Sequence, residues 1–365
     1  MSKINDIIFT KTNNITNIKS HFVPQFYLRN FGESLFLFDK KKGKVHSATP
    51  RTVAHKSNFY GPIIDGIQPL ESAFSQIEGE SNIAIRELIE MEDVSKISTS
   101  NFLNLCKFVA LQYLRTEEKR TQIEESGNFA FRELFAASHP HIDRQLIERL
   151  HTTDALNLRV HLNAIKDYTD WAAVISQMKF ILLINKTKFP FWTSDNPVTL
   201  HNSIDYTPYS GLGIVVEGIE MHIPINPKMG LVICDPQKFK NFPSRLQVNN
   251  DIVVLRENWL QVDSSTRFLY SNTDRFYQIK KLLVEHKQVT NPKRIRNTSK
   301  IISGKKLNKK QLKFWAEKEI LDLLKTDEGD SDRPPYNPPN PNSEYIMTGL
   351  KRTKSKFDPK IQELK

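Results

Sequence analysis

The sequence predicts a mixed α+β fold, on three observations. Apolar residues recur at helical spacing through residues 70–178, short β-rich runs separated by Pro, Gly and Asn occupy 180–234, and no internal repeat interrupts either pattern. A helix-rich N-terminal half therefore packs with a short-stranded β region. C-terminal helices and a basic, Pro-rich tail that is disordered by composition follow. The expected divisions are a polar arm at 1–19, one domain at 20–285, a basic and partly helical extension at 286–326, and a tail at 327–365.

Pro24 suits the first turn of a short helix ending near Phe31, which Gly32 can close in a left-handed cap. Leu35–Asp39, the turn Lys40-Lys-Lys-Gly-Lys44 and Val45–Ala48 form a strand, a turn and a return strand. From Leu70 to Met91, Leu70, Phe74, Ile77, Ala84, Ile85 and Leu88 mark one helix face. Asn101–Arg120 is apolar nearly all round, with Phe102, Leu105, Cys106, Phe108, Val109 and Leu111, and so belongs inside a core. Phe129–Leu150 and Leu156–Met178 continue the helices. Strands are expected at Phe180–Ile184, Phe189–Thr193, Gly213–Glu217, Met221–Ile225 and Leu231–Cys234. Helices are expected again at Val248–Val262, Thr273–His286 and Lys309–Leu324. Five prolines between Asp327 and Asn342 mark a linker.

Composition narrows the function classes. No apolar run approaches the roughly 18–20 residues of a membrane span, and the N-terminus lacks the pattern of a secretory signal. Cys106 and Cys234 sit in apolar stretches and read as buried thiols of a reducing cytoplasm. The chain has no Gly-x-x-x-x-Gly-Lys-Ser/Thr loop, Gly-x-Gly-x-x-Gly fingerprint, Cys-x-x-Cys, His-Glu-x-x-His or Gly-x-Ser-x-Gly. No metal ligand set follows from local sequence.

The net charge of +11 is concentrated at one end. Residues 1–285 carry 33 basic and 31 acidic side chains; residues 286–365 carry 19 and 10. His286–Ala316 holds ten cations and no acid: Lys287, Lys293, Arg294, Arg296, Lys300, Lys305, Lys306, Lys309, Lys310 and Lys313. Such a stretch neutralises phosphates with a strongly salt-dependent affinity, and nucleic acid is the expected partner. The plainer reading is a solvated tail. Few aromatics interleave it, which argues against base stacking.

Several ordered motifs resemble one prokaryotic family. They are His21-Phe-Val-Pro-Gln-Phe-Tyr-Leu-Arg-Asn-Phe31, Phe36-Leu-Phe-Asp39, Asn58-Phe-Tyr60, Glu71 with Glu78, Gln112-Tyr-Leu-Arg-Thr116, Thr193-Ser-Asp-Asn-Pro-Val198 and His222-Ile-Pro224. In this order, over about residues 20–285, they are similar to the family known as domain of unknown function 4238. The resemblance implies a shared fold and a shared site, and brings no reaction with it. The tail after 286 departs from the pattern.

The same motifs gather polar side chains near core elements. His21 and Gln25 share a face if the first helix extends back to His21. Glu71 and Glu78 lie two turns apart on one side of a helix. Gln112 and Arg115 are three apart on the buried helix, where an Arg needs a carboxylate, with Glu71, Glu78 and Asp195 as candidates. Asp195 opens a turn at a strand end. Each has a structural reading as well: a capping histidine, a buried ion pair, an Asx turn.

Together they point to a nuclease-like enzyme acting on nucleic acid or another phosphate-bearing substrate, with phage defence as a fitting role. His21 would be acid or base, Arg115 the phosphate ligand, and Glu78 and Asp195 the proton- or metal-handling carboxylates. Gln25, Tyr27, Gln112, Ser194 and Asn196 would orient the substrate. Mg²⁺ is an expected cofactor if Glu71, Glu78 and Asp195 converge. The alternatives are a non-catalytic nucleic-acid-binding or adaptor protein, and a nucleotide-derivative transferase using Tyr27 and Glu78.

Overall fold

A computed structural model describes residues 19–61, 69–202, 204, 213–276 and 279, with the side chains of 69–72 excepted. In chain order the elements are β1 Lys19–His21, α1 Gln25–Arg29, β2 Leu35–Asp39, β3 Lys44–Ala48, β4 His55–Ser57, α2 Pro69–Met91, α3 Thr99–Leu114, α4 Glu117–Ser138 and α5 Arg144–Ile147. They continue with α6 Asp154–Lys166, α7 Tyr168–Ser176, β5 Lys179–Asn185, β6 Thr193–Ser194, β7 Thr199–Asn202, β8 Ile219–Asn226, β9 Met229–Cys234, β10 Arg245–Val248, α8 Asp251–Ser264 and β11 Phe268–Ser271. The fold is α+β, as the patterning predicts.

The largest sheet has the order β10-β5-β9-β8-β7 and is antiparallel except for the β10–β5 pair. Its central strands are buried on both faces, so their apolar residues run on without alternation. Phe180, Leu182 and Ile184 of β5 join Met221, Ile223 and Ile225 of β8 in the core shared with α2 and α3. Ile181 and Leu183 face the other way, onto the layer that contains Val253 and Val254 of α8. A second sheet, β3-β2-β11-β6, encloses Phe38, Trp192, Trp259, Val262 and Leu269. The third pairs only β1 with β4.

Several boundaries depart from the sequence expectation, each for a local reason. The helix expected over 101–120 breaks at Arg115, because the Thr116 hydroxyl accepts the Lys119 amide at 3.2 Å and starts α4. Phe129–Leu150 divides after Ser138, with Asp143 capping α5, and Leu156–Met178 divides at Asp167. Gly213–Glu217 is a turn closed by the Val216 amide on the Gly213 carbonyl, with Val215 79% exposed. Residues 189–192 form no ladder. The Asn185 side-chain amide donates to the Phe189 carbonyl, and Asn258 of α8 accepts the Trp192 amide and donates to the Pro190 carbonyl. Most of the helix expected at 273–286, and all of that at 309–324, lie outside the described residues.

Tyr27 ties these layers together. Its buried hydroxyl donates to the Pro224 carbonyl at 2.6 Å and meets the Thr193 hydroxyl at 2.9 Å, joining α1 to both larger sheets. Tyr27→Phe is expected to cost about 1–3 kcal/mol in urea unfolding, because two polar groups are left buried without it. An unchanged midpoint would count against this role.

Candidate functional site

His21 ends β1, directly opposite His55 of β4. The expectation that His21 shares a helix face with Gln25 is corrected here. Pro24 is extended (φ −63, ψ 143), α1 begins only at Gln25, and Gln25 accepts from Arg29 instead. The strand pairing brings the imidazole rings to 5.2 Å between centroids in an edge-to-face arrangement. Ala54, just before His55, holds a left-handed backbone at φ 52, and its carbonyl accepts the amides of both Phe22 and Val23. For a residue with a Cβ this conformation costs on the order of 1–2 kcal/mol, which the two hydrogen bonds offset.

Behind the pair lies a polar chain that the sequence partly foretells. The Gln112 side-chain amide donates to the Phe22 carbonyl at 3.0 Å, and its oxygen accepts Arg115 Nε at 3.1 Å. Arg115 Nη1 reaches Glu78 Oε1 at 2.9 Å, and the guanidinium lies over the Phe74 ring. Of the described carboxylates expected to pair with Arg115, Glu78 is therefore the one that does. The Arg115 side chain is 1% exposed and that of Glu78 29%. Arg115 thus sits behind the site rather than at its mouth.

Both imidazoles are held below their ordinary pKa. Burial is the main cause at His21, followed by His55, while Glu78 opposes the shift and Arg115 adds to it. Burial and then Lys19 lower His55. The His21 Nε2 is buried with no hydrogen-bond partner. Exposed Lys19, Arg51 and Lys56 lie in or beside these strands, Lys56 paired with Glu117.

The Thr193–Val198 loop is held from other directions. Asp195 Oδ1 accepts the Thr266 amide, and Oδ2 accepts the amides of Arg267 and Phe268, at 2.7–2.8 Å. Ser194 donates to Gln261 of α8, and Asn196 bridges Thr116 and Ser264. Glu78 thus serves Arg115, and Asp195 serves three backbone amides of the 266–268 segment. The Glu71 side chain lies outside the described residues. Among the described residues, no group of three His, Cys, Asp or Glu side chains is placed to hold a metal. Lys293, Arg294, Arg296, Lys300, Lys305, Lys306, Lys309 and Lys310 all fall outside the described residues.

Sequence reasoning passed over two features. One is His55, which only the β1–β4 register reveals. The other is a buried cluster between the large sheet and α8. His222 Nδ1 meets Glu257 at 2.9 Å and its Nε2 lies 3.3 Å from Glu220, with His201 opposite Glu220 across the β7–β8 pair. In the sequence Glu220-Met-His222 stands out only beside Asp195, as an acid…Glu-x-Lys nuclease spacing that lacks its Lys; two polar residues alternating in an otherwise apolar strand, and so sharing one face, were the signal of the cluster.

Burial alone would lower the His222 pKa, but Glu257 and Glu220 outweigh it and raise it to about 10. A histidine whose folded pKa is raised stabilises most below its unfolded value of about 6.5, and that contribution fades as pH climbs toward 10. The melting temperature is therefore expected to fall between pH 6.5 and 10, with a flatter profile for His222→Gln. Equal slopes for the two proteins would contradict this.

None of the described helices is long and apolar enough to cross a membrane. A family model described as protein of unknown function (DUF4238) matches residues 19–275. No curated protein and no solved structure matches the chain.

Proposed function

The chain belongs to the DUF4238 family, and from that premise we propose a nuclease-like enzyme that breaks phosphodiester bonds with His21 and His55 as its proton-transfer pair. The observation that carries this reading is the pair itself: two partly buried imidazoles facing each other across two short strands, one with an unpartnered Nε2. Phosphodiester cleavage needs a base for the nucleophile and an acid for the leaving oxygen, and two imidazoles of unlike protonation supply both. Gln112, Arg115 and Glu78 are positioning residues in this account. They fix the backbone beside His21 through the Phe22 carbonyl and set the charge around its ring. Lys19 offers a cation to an incoming phosphate, and the basic stretch at 286–316 adds salt-dependent affinity.

The pH dependence follows from the groups around each ring. His21 faces His55, Glu78 and Arg115, and His55 faces His21 and Lys19; both end below 6.5. One ring must be protonated while the other is neutral, so cleavage should peak on the acid side of pH 6.5 and decline as the imidazolium is lost. The test is the rate of cleavage of end-labelled oligonucleotides from pH 4.5 to 8.5. An acid-side maximum that vanishes in His21→Asn supports the reading; a rate that keeps rising through pH 8 opposes it.

A further inference from the structure

Within the folded domain, positive charge gathers in one place. Residues 1–285 hold 33 basic and 31 acidic side chains, yet from Lys40 to Gly61 the chain has six cations and no acid. Lys41, Lys42, Lys44, Arg51 and, in β1, Lys19 are exposed and form no ion pair among the described residues. Acids of the adjoining segments are already engaged: Asp39 with Arg267, Glu117 with Lys56 and Glu33 with Arg29.

The turn between β2 and β3 is built to hold its lysines outward. Lys40 points inward, where its buried ammonium donates to the Val262 and Ser265 carbonyls at 2.7 and 2.6 Å. Its amide donates to the Arg267 carbonyl. Asp39 Oδ1 accepts the amides of Lys41 and Lys42 at 3.0 and 3.2 Å, and Gly43 takes the left-handed backbone, φ 62, that closes the turn. Lys41, Lys42 and Lys44 therefore stand in solvent on a fixed backbone, which an anion need not order on binding.

An edge-strand lysine often serves to block strand addition, and Lys44 of β3 is placed for that. Lys41 and Lys42 lie beyond the ladder, whose last pair is Asp39 with Lys44, so edge protection does not account for them. About 13 Å along β3, at 3.2–3.4 Å per residue, the chain leaves Ala48 for Arg51 and β4. Among the described residues, no large exposed hydrophobic side chain falls between Lys19 and Gly61. The region thus lacks a stacking platform for unpaired bases and an apolar wedge for lipid.

We propose that the β2–β3 turn, through Lys41, Lys42 and Lys44, docks the sugar-phosphate backbone of double-stranded nucleic acid without regard to base sequence. A duplex carries about one negative charge per 1.7 Å of its axis, and its backbone is bound without any aromatic contact. This inference goes beyond the cleavage reading and does not depend on it, because binding is measured without a cut.

The test titrates the full chain into a short labelled DNA duplex, one of its strands alone, and phosphatidylserine vesicles, at about 50–200 mM salt. Lys41→Glu/Lys42→Glu/Lys44→Glu is compared with Lys166→Glu/Lys188→Glu/Lys240→Glu, which reverses three exposed charges elsewhere. Lys41→Gln/Lys42→Gln/Lys44→Gln replaces the turn variant if that fails to fold. The duplex is expected to bind more tightly than the strand. The turn variant loses at least about tenfold in duplex affinity, and its salt slope falls by about 2–3, at roughly 0.9 per phosphate contact. The comparison variant changes by less than about threefold. Equal losses in the two variants, or no loss in the turn variant, overturn the proposal. A single strand held as tightly as the duplex, or binding to the vesicles alone, overturns it as well. Duplex binding that depends on the turn, with no strand cut, upholds it while overturning the cleavage reading.

Discussion

Asp195→Ala lowers the stability of the chain by at least about 3 kcal/mol, each stranded buried amide costing about 1–3 kcal/mol. The carboxylate, 2% exposed, accepts the amides of Thr266, Arg267 and Phe268, the segment that leads from α8 into β11. β11 begins at Phe268 and pairs with both β2 and β6, so loosening this segment loosens the second sheet. Asp195→Asn should also destabilise, because its NH₂ must face at least one amide donor. Urea unfolding of both variants checks this. Wild-type midpoints combined with lost cleavage would instead make Asp195 a member of the reacting site.

That result separates what local sequence could convey from what it could not. Gln112 and Arg115 stood out because a helix apolar nearly all round cannot bury a guanidinium without a carboxylate, and the spacing of three put both on one face. The structure supplies that carboxylate as Glu78. Asp195 was equally visible as an acid at a strand end. Its partners, however, are backbone amides some seventy residues further on, and no side-chain pattern announces a backbone donor. His55 escaped notice because β4 is three residues long and half exposed, with no apolar alternation to mark it.

The helix break at Arg115 was more accessible. Thr116-Glu-Glu is an N-cap followed by first-turn acids, a start signal hidden inside a longer apolar period. β10 and β11 were passed over because four-residue strands carry too few turns of either period to register. The central strands of the large sheet were plain because burial on both faces leaves an unbroken apolar run.

His21→Asn and His55→Asn are each expected to slow cleavage by about 10²–10⁴-fold while leaving folding intact. Both rings are partly exposed, and their replacement leaves the Gln112–Arg115–Glu78 chain with all its partners. Groups that act as a unit are not additive, because the second loss removes help that the first has already made useless. The most direct measurement is therefore the double-mutant cycle of cleavage rates at the pH maximum, with melting temperatures taken on the same four proteins. The double variant is expected to be no slower than the worse single variant by more than about tenfold, with all four proteins equally folded. Single variants that cut at the wild-type rate would contradict it, as would losses that track falling melting temperatures.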